Sequence, residues 1–98
     1  MAEACKAAEL IEFISRKWIL HVLHAVHNGA DTFSTIQKRA NGVNSRMLSA
    51  RLAEMQEYGL LDRKVVCEKP VKIRYSLTGK GEELAQEMDR MNEIALRW

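Results

Sequence analysis

The sequence predicts a mostly α-helical α+β domain, and three observations predict it. Between Thr32 and Leu77 a short helix pattern, FSTIQKRA, is parted by Asn41 and Gly42 from a longer one, SRMLSARLAEMQE. Two β-prone runs, DRKVVC and KIRYSL, follow at once and are joined through Glu68, Lys69 and Pro70. Positive charge is concentrated there: residues 38–80 carry ten Lys and Arg against four Asp and Glu, whereas residues 1–37 carry three against four and residues 81–98 two against five. Helix, turn, longer helix, strand, basic turn, strand is the order of a winged helix-turn-helix, which lays an amphipathic helix in a DNA major groove beside a basic hairpin.

Each element has a local reason. Leu10, Ile11 and Ile14 give residues 7–14 an apolar edge. Ser15 is expected to cap a second helix over about 16–27, whose Trp18, Ile19, Val22, Leu23 and Val26 recur at the spacing of a buried stripe; Asn28 and Gly29 stop it. Asp31 or Thr32 caps a third helix, 33–40, with Phe33 and Ile36 inward and Gln37, Lys38 and Arg39 outside. Asn41 and Gly42 break it, and Val43 plugs the turn. Asn44 then caps a fourth helix over about 45–57 by accepting from an orphan backbone donor, and Gly59 ends it. Leu48, Leu52 and Met55 form this helix's core face, with Met47 at the edge. Arg46, Ala50 and Ala53 lie opposite, with Ser45 and Ser49 on one flank. Small side chains permit close approach to base edges, and an arginine can pair bidentately with guanine; the competing reading is a solvated face that happens to be small.

In the hairpin, Lys69, Lys72 and Arg74 suit a wing resting on a sugar–phosphate backbone or reaching a minor groove, with Arg63 and Lys64 at its base. Val66, Ile73, Tyr75 and Leu77 are expected to supply apolar contact. Thr78 caps a final helix, 79–98, in which Leu84, Met88, Met91, Ala95 and Trp98 recur at four, three, four and three. That stripe suits a helix–helix seam, and a second copy is the expected occupant.

Ninety-eight residues hold one small domain, 1–98, whose core is marginal alone. The apolar and charged fractions, 47% and 29%, are ordinary for a folded soluble chain. No apolar run approaches the roughly 18 residues of a membrane span, and the start MAEACKAAELIEF has no export-signal pattern, so a cytoplasmic location is expected. Cys5 and Cys67 make no disulfide framework. No glycine-rich phosphate loop or recognisable catalytic triad occurs, so neither an enzyme nor a cofactor is expected. His21, His24 and His27 could share a metal one turn apart, but they lack acidic or thiol partners at matching spacing and read as edge or interface histidines, with no metal site expected. Cys5 sits beside Lys6 near a helix start. Both features lower a thiol pKa and make Cys5 a candidate redox sensor, against the alternative of an inert terminal thiol.

The series Cys5, Lys17-Trp18, Phe33, Arg46-Met47-Leu48-Ser49, Arg51-Leu52, Gly59-Leu60, Arg63, Pro70, Tyr75-Ser76-Leu77-Thr78 and Lys80-Gly81 resembles the HxlR-type family of winged-helix transcriptional regulators, within the broader MarR-like group. The resemblance runs from Cys5 to Trp98. It implies a homodimer on an inverted-repeat operator, recognition by the 44–57 helix, and a dimer interface built from the first and last helices (1–14 and 79–98), through Ile11, Ile14, Leu84, Met88, Met91, Ala95 and Trp98. It also implies a frequent sensing role for an N-terminal cysteine such as Cys5. Where the family often has Arg before the phenylalanine, this chain has Thr32.

The expected function is that of a dimeric, sequence-specific regulator of transcription, acting as a repressor, with double-stranded DNA as partner. The expected DNA-facing residues are Lys38, Arg39, Asn44, Ser45, Arg46, Ser49, Arg51, Lys69, Lys72 and Arg74. Two other classes stay open: a winged-helix protein–protein module without DNA binding, and a metal-responsive regulator using the histidine row.

Overall fold

The computed structural model describes residues 2–98, with side chains from Lys6 onward; the Cys5 side chain, and with it the candidate sensor, lies outside the described residues. Five helices and one hairpin follow in the order α1 (Ala2–Ile14), α2 (Ile19–His27), α3 (Phe33–Ala40), α4 (Ser45–Tyr58), β1 (Leu61–Glu68), β2 (Val71–Leu77) and α5 (Gly79–Leu96). This is the winged helix-turn-helix order.

Side-chain caps fix three of the helix starts. Thr32 accepts from the Thr35 amide, and Thr35 answers on the Thr32 amide, a closed capping box. Asn44 accepts from the Met47 amide at 2.8 Å, and Thr78 from the Gly81 amide at 3.1 Å. Each satisfies a donor that the helix itself leaves without a partner.

The start of α2 differs from expectation. Ser15 does not cap it. Its hydroxyl donates back to the Ile11 carbonyl at 2.6 Å, an acceptor one turn behind it on α1. The chain then turns through Arg16–Trp18, and α2 begins only at Ile19. Trp18 takes the N-cap position with φ 79° and no side-chain cap, a costly conformation for a bulky residue. Its indole edge would lie 3.2 Å from a Cβ on Gly42, so the helix-turn-helix turn is pressed against the entrance to α2. A side chain at Gly42 would push the indole by a few tenths of an ångström, and its φ of 121° disfavours any residue but glycine.

Ile19, Val22 and Leu23 of α2, Ile36 of α3, and Leu48, Leu52 and Met55 of α4 are fully buried together, with Val43 closing the turn between α3 and α4. Phe33, Met47, Ile73, Leu77, Leu84 and Met88 pack partly buried around them.

The strands pair antiparallel from Leu61↔Leu77 to Val65↔Ile73, and then a bulge leaves Val66 without a partner before Cys67↔Lys72. Val66 is half exposed and adds no core contact, contrary to expectation: the extra residue at the bulge has no partner across the ladder. The base of β2 is held by the Tyr75 amide, which donates to the Asp31 carbonyl at 2.8 Å.

The Cα radius of gyration is 14.3 Å, with extents of 48 × 34 × 23 Å. A compact chain of this length has a radius near 13 Å. The excess is consistent with the arms. The last turns of α5 expose Met91, Ile94 and Leu96, Trp98 beyond them is exposed too, and the wing exposes Val65, Val66 and Val71. No described helix is long and apolar enough to cross a membrane.

Candidate nucleic-acid interface

Leu48, Leu52 and Met55 spend one face of α4 on the core, which leaves the other free. Ser45, Arg46, Ser49, Ala50 and Ala53 are all exposed. At ~100° per residue they span an arc of about 140°. The strip is small except for Arg46, whose guanidinium projects beyond its neighbours. Asn44 is exposed too, but its carboxamide oxygen is spent on the cap. Gln37 braces the strip from α3 by donating to the Val43 carbonyl and to Ser45 Oγ, each at 3.2 Å.

The other cations divide into free and engaged. Lys38, Lys69 and Lys72 are exposed and none makes an ion pair of 4 Å or less among the described residues. Arg39 donates to the Asn28 carbonyl. Arg74 pairs with Asp31 at 2.6 Å. Its cross-strand neighbour is Lys64, and facing like charges repel; Asp31 offsets that repulsion. Arg51 is only 16% exposed and donates to the Lys17 carbonyl and to Glu54. Between the start of α3 and β2 lies an open groove of about 670 Å³ lined by Thr32, Phe33, Ser34, Lys72, Arg74 and Tyr75, among others. Ser34 was not foreseen; its signal was its place in the first turn of α3.

The proposed seam residues also divide. Leu84 and Met88 pack against the chain's own core, as does Ile14, whereas Ile11, Met91, Ala95 and Trp98 are exposed, Trp98 at 95%. Ile94, on the same half of α5, is exposed with them.

The histidine row is not one site. Among the described residues no group of three or more His, Cys, Asp or Glu side chains is placed to hold a metal. His21 meets the Trp18 ring edge-on, and His24 lies beside the Asn28 carboxamide. His27 turns to α5. Its Nε2 is 3.0 Å from Asp89 Oδ2, and its Nδ1 is 3.4 Å from Glu82 Oε2, a charge contact without hydrogen-bond geometry. The Asp89 hydrogen bond raises the His27 pKa above its ordinary 6.5, burial opposes the rise, and the charges of Asp89 and Glu82 add to it. Cys67 is a free thiol, half buried, with its Sγ 3.7 Å from the Lys69 carbonyl.

A helix-turn-helix with a basic hairpin and an outward helix face of small residues defines a winged-helix, DNA-binding transcriptional regulator. The chain belongs to the HxlR-like helix-turn-helix family, whose model matches residues 13–98. It is 34% identical over 98 residues to the HTH-type transcriptional regulator YvaP of Bacillus subtilis, an alignment covering 99% of this chain and 91% of that one. It is 28% identical over 90 residues to YodB of the same organism, covering 92% and 80%. Among solved structures, the reduced form of YodB aligns with a TM-score of 0.80 at 28% identity, covering 92% of this chain and 88% of that one. The diamide-treated form aligns at 0.78 and 27%, covering 95% and 92%.

Proposed function

We propose that this regulator works as a homodimer on an inverted-repeat operator and represses by occupying a promoter. The observation that carries the reading is the outward strip of α4, where Arg46 stands among Ser45, Ser49, Ala50 and Ala53. Such a strip fits base edges in a major groove, and Arg46 supplies the donor fork for guanine. Lys38, Lys69 and Lys72 grip phosphates and make affinity salt-dependent, while Arg74, and Thr32 and Ser34 across the groove, lie beside that grip. Two copies meet through α1 and the outer half of α5, where Ile11, Met91, Ile94, Ala95 and Trp98 await cover. Cys5, on the first turns of α1, is the thiol input. The reduced and diamide-treated structures of the similar YodB support that part.

Selection of bound sequences from random duplexes defines the operator, after which two variants separate reading from gripping. Arg46→Ala loses discrimination at the contacted pair, by about 1–3 kcal/mol. Lys72→Ala weakens all duplexes alike and lowers the salt slope by about one. Equal losses on operator and random DNA for Arg46→Ala overturn the base-reading role.

A further inference from the structure

Arg51 sits on α4, but its side chain faces the protein. Its Nε–H donates to the Lys17 carbonyl at 2.7 Å, and Nη1 donates to Glu54 Oε1 at 2.8 Å. Arg16 Nη1 approaches the same Glu54 oxygen at 3.3 Å. The Lys17 carbonyl is available because α2 starts late: its first ladder bond runs from the Val22 amide to the Trp18 carbonyl, one residue beyond. Closer to the end of α4, Phe13 of α1 stacks on Tyr58 with ring centroids 4.1 Å apart and planes within 10°. The Arg16 guanidinium lies over that Phe13 ring at 5.1 Å. The reading helix is thus tied at two levels to α1 and to the turn that follows it.

We propose that Arg51 is a positioning residue rather than a DNA ligand: together with Glu54 and Arg16 it locks α4 onto the α1–α2 turn, so that α1 and the reading helix move as one body. Where α1 lies at the dimer interface, on which the proposal's consequence for DNA rests, the lock sets the separation of the two reading helices. A charge-assisted donor fork suits this task. Two bonds from one planar group fix direction as well as distance. A lysine at the same place keeps the charge but has no rigid fork. The lock also provides a route by which a change at the N-terminal helix reaches the DNA face without unfolding anything between.

Binding is measured for the parent, Arg51→Lys, Arg51→Met and Glu54→Ala on operators whose half-sites are at the natural spacing or displaced by about two base pairs, over a range of salt, with helix content checked by circular dichroism. The lock predicts an unchanged salt slope for all three variants and a loss of preference for the natural spacing on the order of tenfold. A phosphate contact predicts instead a slope lower by about one for Arg51→Met and a full spacing preference in Arg51→Lys and Glu54→Ala; either result overturns the proposal. The DNA-free protein gives a separate readout. The Arg51 Nε–H resonance is expected to exchange slowly in the parent and faster in Glu54→Ala. Exchange in the parent at the rate of a free arginine overturns the lock whatever the oligomeric state. A protected signal in a chain that binds no spaced pair of half-sites supports the lock and counts against the dimeric reading alone.

Discussion

Gly81→Ala and Gly79→Ala make the same chemical change two residues apart, and the structure gives them opposite signs. Gly81 is buried in the first turn of α5, against the corner where α4 passes into β1. A Cβ there falls on the Leu60 carbonyl oxygen, well inside contact distance, and meets Leu60 C and Leu77 Cβ at 3.2 Å. The obstruction is largely backbone, so no rotamer relieves it, and the corner must open by roughly an ångström to restore ordinary contact. Two hydrogen bonds join Thr78, the cap of α5, to that corner: its amide to the Leu60 carbonyl at 3.1 Å and its hydroxyl to the Gly59 carbonyl at 2.6 Å. Losing both costs about 2 kcal/mol. Residual overpacking adds about 1–3 kcal/mol, and the gain from replacing a helical glycine returns about 0.5–1 kcal/mol. The net loss is about 2–4 kcal/mol, a large share of a small domain's stability. For a chain of this length it lowers Tm by about 10–25 °C. Gly79, by contrast, has nothing within 4 Å of its built Cβ, so Gly79→Ala keeps or raises stability by up to about 1 kcal/mol. Urea unfolding of parent and both variants at one protein concentration is the assay. A Gly81→Ala protein as stable as the parent refutes the backbone clash, and equal losses at both positions refute its locality.

Met91→Asp with Ile94→Asp replaces exposed side chains only, so helix content is expected to persist while the proposed dimer dissociates, because each unpaired carboxylate buried in a seam costs several kcal/mol. Sedimentation at micromolar concentration checks this, and a monomeric parent sinks it. His27 gives a pH dependence. Its folded pKa is raised, so the stability it contributes is fully present below its unfolded value near 6.5 and is lost as pH rises through the folded value. Unfolding curves of the parent and His27→Gln are expected to converge as pH rises through that window, and a constant difference from about pH 5.5 to 8.5 counts against the Asp89–Glu82 contact. Graded diamide treatment is expected to change operator affinity in the parent and in Cys67→Ser but not in Cys5→Ser. A response abolished by Cys67→Ser alone moves the switch to the wing.

What the sequence made legible was the chemistry that acts within a few residues. Thr32, Asn44 and Thr78 cap because each lies next to the amides it serves. The buried face of α4 was readable for a similar reason, since helical period alone groups Leu48, Leu52 and Met55. The inward turn of Arg51 was hidden because the period puts it at the border of that face, and nothing local reveals an available Lys17 carbonyl 34 residues earlier. That carbonyl is free only because Ser15 bonds backward and α2 begins late. His27 was opaque likewise. Its partners Asp89 and Glu82 come from a helix whose packing angle no periodicity encodes. The α5 stripe looked uniform, but the chain's own core takes Leu84 and Met88 and leaves Met91, Ala95 and Trp98 outside.

The two-stranded wing is a sheet with nothing but edges. Beyond the Tyr75–Asp31 bond, its outer ribbon carries Val65, Val66 and Val71 in solvent. A valine-rich ribbon with unpaired backbone groups is a template for association with other strands. Here Arg63, Lys64, Glu68, Lys69 and Lys72 surround the valines, Pro70 withholds an amide, and the bulge at Val66 spoils a flat edge. The cations proposed to hold DNA are therefore expected also to keep free molecules apart. Removing several of them at once is expected to bring precipitation along with weaker binding, and occupancy of DNA is expected to shield the ribbon. The soluble lifetime of the protein then depends on how much of it is bound.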